Sequence, residues 1–305
     1  MAITRHPFDG TEHLTRVLEL VRQMPESCRH VVDWPWRLST PAIHAGNDAV
    51  FWENDEGVMV GLAAWQYYWA VLDFFILPGP QQSEVKEDLF AWADQRFRER
   101  DAERGKPLLY WAEFWEEDRE RQQLVNAHGF LADEYECYVY LEHPLENLPP
   151  VPDLPEGFIL RTLRGVDEVA AYAELHRAAF QSNSMTPEWR ARTLHMPTYR
   201  PEVDLVIEAP DGSLAGFCVG WLEPARQLAQ IEPIGVHPRF QQLGLSRVLL
   251  SEILHRFKRY GARKAIVETN LDRSPARHAY AAAGFRQAHI IHSVGKWVNP
   301  LAEVQ

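Results

Sequence analysis

The chain repeats itself at a constant offset of 155 residues, and this limits what it can fold into more than any other feature. Gly57 meets Gly212, Gly61 meets Gly216, Pro78 meets Pro233 and Glu113 meets Glu268 at that offset. Ala127, Gly129 and Phe130 meet Ala282, Gly284 and Phe285 in the same ungapped register. The local patterns agree. Apolar residues flank Asn54-Asp55-Glu56-Gly57 in one copy and Pro210-Asp211-Gly212 in the other, and each stretch reads as strand, turn, strand. A length of 305 residues suits two domains of ordinary size. Four prolines within residues 146–156 exclude a helix or central strand there, so this stretch reads as the linker between domains 1–145 and 157–305.

The second copy is the clearer of the two. Strands are expected over residues 158–163, 204–208, 214–221, 229–236 and 265–269, with a final strand region over 285–298. Helices are expected over 166–180, after Thr186-Pro187, over 244–260 and over 275–283. This order predicts an α+β chain of two tandem domains, each a mixed, mostly antiparallel sheet flanked by helices.

Residues 236–246 bring a strand through a turn to the start of a helix, with Gly244 at the junction. Helix N-termini leave backbone N–H groups unpaired and carry partial positive charge, so they favour phosphate oxygens. Glycine lets a pyrophosphate approach the backbone closely. Arg239 and Arg247 are placed to add charge, and equally read as plain surface arginines. Lys258, Arg259, Arg263 and Lys264 suit the negative end of the same helix.

The run Gln241-x-x-Gly244-x-Ser246, followed by Tyr280 and Gly284-Phe285, resembles the GNAT acyltransferase family in a tandem two-domain form. The family usually carries Gly or Ala where this chain has Ser246. The resemblance implies a splayed central sheet and acetyl-CoA as cofactor, with an acetyl group moving directly to a primary amine of a small molecule. It implies cofactor contacts from Gln241, Gln242, Leu243, Gly244, Leu245 and Ser246. Backbone contacts are implied at Ile234 and Val236, and an asparagine contact at Asn270. Tyr280 stands at the position of the family's general acid. Strand alternation puts Gln230, Glu232, Ile234 and Val236 on one face, and Glu232 is the expected general base, acting directly or through water. Trp221, Glu223, Arg192 and His195 are candidates for the acceptor cleft by their place in the chain.

At the same offset the first copy has Leu77 for Glu232, Leu89 for Gly244, Ala91 for Ser246 and Val125 for Tyr280. It therefore reads as a degenerate GNAT-like copy, kept for packing or for shaping the acceptor cleft. Charge separates the halves too. Residues 1–150 hold 13 Lys+Arg against 27 Asp+Glu, while 151–305 hold 18 against 16. An acidic half argues against a nucleic-acid or anionic-membrane partner, and the milder half suits a polyanionic cofactor. Three scattered cysteines predict small core residues in a reduced, cytoplasmic setting, with no zinc spacing. No apolar run suggests a membrane span or a leader. The oligomeric state is left open. The alternatives to an enzyme are a non-catalytic acetyl-CoA or metabolite sensor and a protein-docking module.

Overall fold

In the computed structural model, residues 2–8, 10–24, 26–28, 32–44, 48–66, 68–131 and 135–298 are described. They form two compact units, Met1–Tyr138 with Ile290 onward, and Val139–His289.

The first unit contains β1 (Ile3–Pro7), α1 (Gly10–Gln23), α2 (Trp34–Leu38), α3 (Pro41–His44), β2 (Ala49–Asn54), β3 (Met59–Gln66), β4 (Val71–Ile76), α4 (Gln82–Arg104), β5 (Leu109–Trp115), α5 (Arg119–Ala127) and the start of β6 (Tyr135–Pro144). The second contains the rest of β6, then β7 (Ile159–Thr162), α6 (Val169–Phe180), α7 (Pro187–Leu194), β8 (Asp204–Glu208), β9 (Leu214–Glu223), β10 (Leu228–Val236), α8 (Leu245–Arg259), β11 (Lys264–Asn270), α9 (Ser274–Ala282) and the start of β12 (Arg286–Trp297). Each expected element of the second copy is present to within a residue or two, except that the helix expected from residue 166 begins at Val169, after a 3-10 turn over Gly165–Glu168.

The repeat is legible element by element. At the offset of 155, the starts of β2, β3, β5 and α5 fall on those of β8, β9, β11 and α9. The hairpin turns use the same chemistry. Asn54 Oδ1 accepts from the N–H groups of Glu56 and Val58, and Asp211 Oδ1 accepts from that of Ser213, all at 3.0 Å. Side-chain oxygens of Asn and Asp close such turns by mimicking a backbone carbonyl. The paired glycines Gly61 and Gly216 admit a helix onto the sheet. A Cβ there would stand 2.7 Å from Val85 Cγ1 in one copy and 3.2 Å from Leu249 Cδ1 in the other.

The strand order is β1-β2-β3-β4-β5-β12 in the first unit and β6-β11-β10-β9-β8-β7 in the second. Both sheets are mostly antiparallel, with a short parallel contact between β4 and β5 and between β10 and β11. The last strands are exchanged between the repeats. Residues Ile291–Trp297 of β12 pair antiparallel with Trp115–Leu109 of β5, while β6 from Val139 onward belongs to the second unit. The compact units therefore differ from the expected 1–145 and 157–305. Duplicated copies offer equivalent sheet edges, so a strand can serve either at little cost. The expected linker is irregular and lies against the second unit. Pro149 and Glu146 carbonyls accept from His255 Nε2 and Lys258 Nζ of α8, and Leu148 and Leu154 pack on that unit's core.

Each unit has its own core. Val85, Leu89, Ala93 and Phe97 of α4 are buried on β3–β5, with Trp52 and Trp65 beside them. Leu245, Leu249, Ile253 and Phe257 of α8 do the same in the second unit. Trp34, Trp36 and Trp115 are also buried, whereas Trp69 is 39% exposed beneath Arg37. Cys28 and Cys218 are core residues as expected, but Cys137 is only half-buried.

Candidate active site

β10 sets the geometry of the site. Leu228, Ala229 and Gln230 pair parallel with Lys264, Ala265 and Ile266 of β11, and the described pairing ends there. On the other side, β9 pairs with β10 up to Ile231↔Gly220 and resumes at Ile234↔Cys218. One extra residue is therefore accommodated at Glu232-Pro233, a bulge in a strand where proline has no N–H to donate. The strand leaves its parallel neighbour at the same point, so the sheet splays as the resemblance implies. Trp221 Nε1 donates to the Glu232 carbonyl at 2.8 Å, which satisfies the bulged backbone.

The bulge corrects the alternation argument. Directly opposed residues share a face, so Gln230 sides with Trp221, while Ile234 and Val236 side with Cys218 and Gly216 on the opposite face. An extra residue reverses the alternation beyond it. Gln230 is buried, and Glu232, Ile234 and Val236 are half-buried.

The loop after β10 presents donors. Gln242 and Gly244 are in the left-handed region, with φ of 65° and 78°. Gly244 is the N-cap of α8, and space is open around the position of its missing Cβ. The first helical bonds run from Arg247 and Val248 to the Gly244 carbonyl. No described hydrogen bond uses the N–H groups of Gln242, Leu243, Gly244, Leu245 or Ser246. Successive free N–H groups at a helix start form an anion-binding concavity. Gln241, Gln242, Leu243 and Gly244 are exposed, and Ser246 is half-buried. Leu245 is 1% exposed in the core, so its N–H is what it can offer a ligand. Arg239 is bound to Asp211 at 3.0 Å and lies over the Phe240 ring, whereas Arg247 is exposed at the first turn without a described partner.

Tyr280, on α9, is 7% exposed and packs edge-on to Phe285. Burial, reinforced by the Glu232 charge, holds its phenol far above the ordinary tyrosine value. The hydroxyl is therefore protonated throughout the neutral range, as a proton donor must be. The same carboxylate acts on Tyr172, so Glu232 lies within electrostatic reach of both phenols. Asn270 ends β11, where its Oδ1 accepts from the Asp272 N–H at 2.8 Å. Its amide NH2 is the part left to meet a cofactor.

A buried polar group on α6, α7 and β8 has no local signal in the sequence. Arg190 is fully buried, ion-paired with Asp204 and lying 4.0 Å from the Tyr172 ring centroid. Tyr199 donates to Asp204 at 2.7 Å. His176 sits among Phe180 and Phe217, and burial and Arg190 lower its pKa to about 4. Arg190, His176 and Asp204 are polar residues at helix or strand positions that usually read as surface. Among the acceptor-cleft candidates, Trp221 and Glu223 are buried and His195 is exposed at the end of α7, bonded to the Ala191 carbonyl.

Among its described residues, the first unit has none of this arrangement. β4 is fully buried and pairs with β3 without a register shift. At the offset of 155, Gln82 corresponds to His237, so α4 begins eight residues earlier than α8. Helix occupies the place of the donor loop.

Among the described residues, no helix is long and apolar enough to cross a membrane, and no group of His, Cys, Asp and Glu could hold a metal ion. Residues 167–285 match the family model described as acetyltransferase (GNAT) family. A mycothiol acetyltransferase of Actinosynnema mirum is 30% identical over 192 residues, which is 60% of this chain and 62% of that protein. Another, from Thermomonospora curvata, is 27% identical over 149 residues, 48% of this chain and 50% of the relative. These matches span only half to about three-fifths of the relatives' length. Two solved structures share the fold over nearly the whole chain. A tandem GNAT protein from the clavulanic acid biosynthesis pathway has a TM-score of 0.68 at 17% identity, covering 98% of this chain and 99% of its own. A GCN5-related N-acetyltransferase from Sphaerobacter thermophilus has a TM-score of 0.65 at 20% identity, covering 98% and 96%. Splayed strand, donor loop and family match coincide in one stretch, residues 167–285, and it is this stretch that is similar to the acetyltransferase (GNAT) family.

Proposed function

We propose that the chain is an acetyl-CoA-dependent N-acyltransferase that moves an acetyl group to a primary amine of a small molecule, by direct transfer in a ternary complex. The observation that carries this reading is the run of unbonded N–H groups from Gln242 to Ser246, beside the point where β10 leaves β11. The donor set suits a pyrophosphate, and an extended pantetheine arm would run along β10 past the splay, against Ile234 and Val236. Bound acetyl-CoA supplies the activated acetyl group.

The chain's own residues supply the rest. The Gln242–Ser246 backbone and the α8 dipole hold negative charge, with Arg247 nearby. Glu232 takes a proton from the attacking amine, directly or through one water. Tyr280 returns a proton to the departing sulfur, and its raised pKa keeps that proton in place until then. The first unit, with helix in place of the donor loop, is assigned no part in acetyl transfer.

The family match and the curated relatives support an N-acetyltransferase, and their name supports a small amine acceptor of the mycothiol class. The unacetylated amine form of that compound therefore heads the acceptor panel. The test is release of the coenzyme A thiol from acetyl-CoA in the presence of each amine. Amine-dependent release that is lost in Glu232→Gln supports the reading. Cofactor binding without turnover across the panel would instead support the sensor reading.

A further inference from the structure

We propose that Cys137, Glu116 and His292 form a thiol-activation site, at which Cys137 takes up small soluble disulfides as a mixed disulfide. The three residues lie in the first unit, apart from the residues assigned to acetyl transfer. Cys137 Sγ, on β6, is 3.6 Å from His292 Nδ1, on β12. His292 Nε2 is 3.4 Å from Glu116 Oε1, just past β5. This is a nucleophile beside a base, with the base oriented by a carboxylate.

The base is fixed on rigid elements. His292 stands opposite Phe114 in the β12–β5 pairing, and its ring stacks on the buried Phe114 ring at 5.6 Å between centroids. The Glu116 N–H donates to the Ile290 carbonyl at 2.9 Å, which ties the carboxylate-bearing residue to β12 as well. A proton on Nε2 facing Glu116 leaves the Nδ1 lone pair directed at the thiol. The site is also reachable: Cys137 is half-buried, and the side chains of His292 and Glu116 are 25% and 57% exposed. Cys28 and Cys218 are both 0% exposed. The two reacting residues occupy equivalent positions of the repeat, 155 apart, so the strand exchange is what brings this histidine to this cysteine.

The step balances. His292 Nδ1 accepts the thiol proton, and Cys137 Sγ attacks one sulfur of R–S–S–R. The S–S bond breaks with its electron pair on the departing sulfur, which takes the proton back from His292. The products are Cys137–S–S–R and R–SH, and excess thiol reverses the reaction. His292 acts as base and Glu116 as a positioning residue.

The experiment treats the whole folded chain with cystamine and follows the mixed disulfide by intact mass and peptide mapping. One adduct per chain is expected, at Cys137, forming faster than with free cysteine. His292→Ala should slow it at least about tenfold, and added imidazole should restore part of the rate. Glu116→Gln should fall between the two, with circular dichroism unchanged in all variants. Equal rates in wild type and His292→Ala, a slow variant that imidazole does not rescue, or adducts at Cys28 or Cys218 would each overturn the proposal.

Discussion

Removing the Tyr280 hydroxyl separates chemistry from packing. In Tyr280→Phe the ring keeps its place beside Phe285, and only Oη is lost. No described hydrogen bond uses that oxygen, so its loss leaves no orphaned partner, and the stability change should stay below about 1 kcal/mol. The chemical effect should be much larger. A positioned general acid contributes about 10²–10⁴ in rate. At 1.36 kcal/mol per decade this is about 3–5 kcal/mol on the barrier. Steady-state thiol release with a saturating amine should therefore show kcat reduced at least about 100-fold, with KM for acetyl-CoA nearly unchanged. The wild type carries a second signature. Its phenol is held above the ordinary value of 10.0 by burial and by Glu232, so loss of this proton should produce no alkaline fall in kcat up to that pH. A kcat within about threefold of wild type would place the acid elsewhere, and a large fall in Tm would make Tyr280 structural rather than chemical.

Glu232→Gln should lower kcat/KM for the amine at least about 100-fold at neutral pH, with recovery as pH rises and the free amine fraction grows; a flat pH profile would contradict its role as base. Asp204→Asn leaves the buried Arg190 without its counter-charge, so urea titration should show a loss of about 3–5 kcal/mol. His176 has a folded pKa of about 4 against 6.5, so the unfolded chain binds more protons between these values and stability falls as pH drops through that window. Between pH 6.5 and 5, wild type should lose about 2 kcal/mol more than His176→Phe, measured by urea midpoints.

Most elements of the second copy were legible in the sequence because their signals are local. Thr186 caps α7 by accepting from the Trp189 N–H at 3.1 Å, and Pro187 and Gly244 mark helix starts in the way such residues usually do. The loss of the donor loop in the first copy was legible from Leu89 opposite Gly244, and the structure adds its cause, an α4 that starts early. Three features were not legible. The bulge at Glu232-Pro233 reverses the strand faces, and a proline signals irregular pairing without giving its register. The strand exchange depends on which of two equivalent edges is taken, and repeated sequences do not distinguish them. The Arg190–Asp204 pair is non-local, and neither residue's neighbours mark it as buried.

The central claim is that the donor loop before α8 holds acetyl-CoA and that the first copy holds none. Calorimetric titration of acetyl-CoA into wild type and Gly244→Glu tests it directly. The substituted carboxylate would enter the open space at Gly244 and meet the phosphates with like charge, in a backbone whose φ of 78° already disfavours a side chain. The account predicts one site per chain in wild type and none in the variant. Two sites per chain, or binding that survives Gly244→Glu, would contradict it.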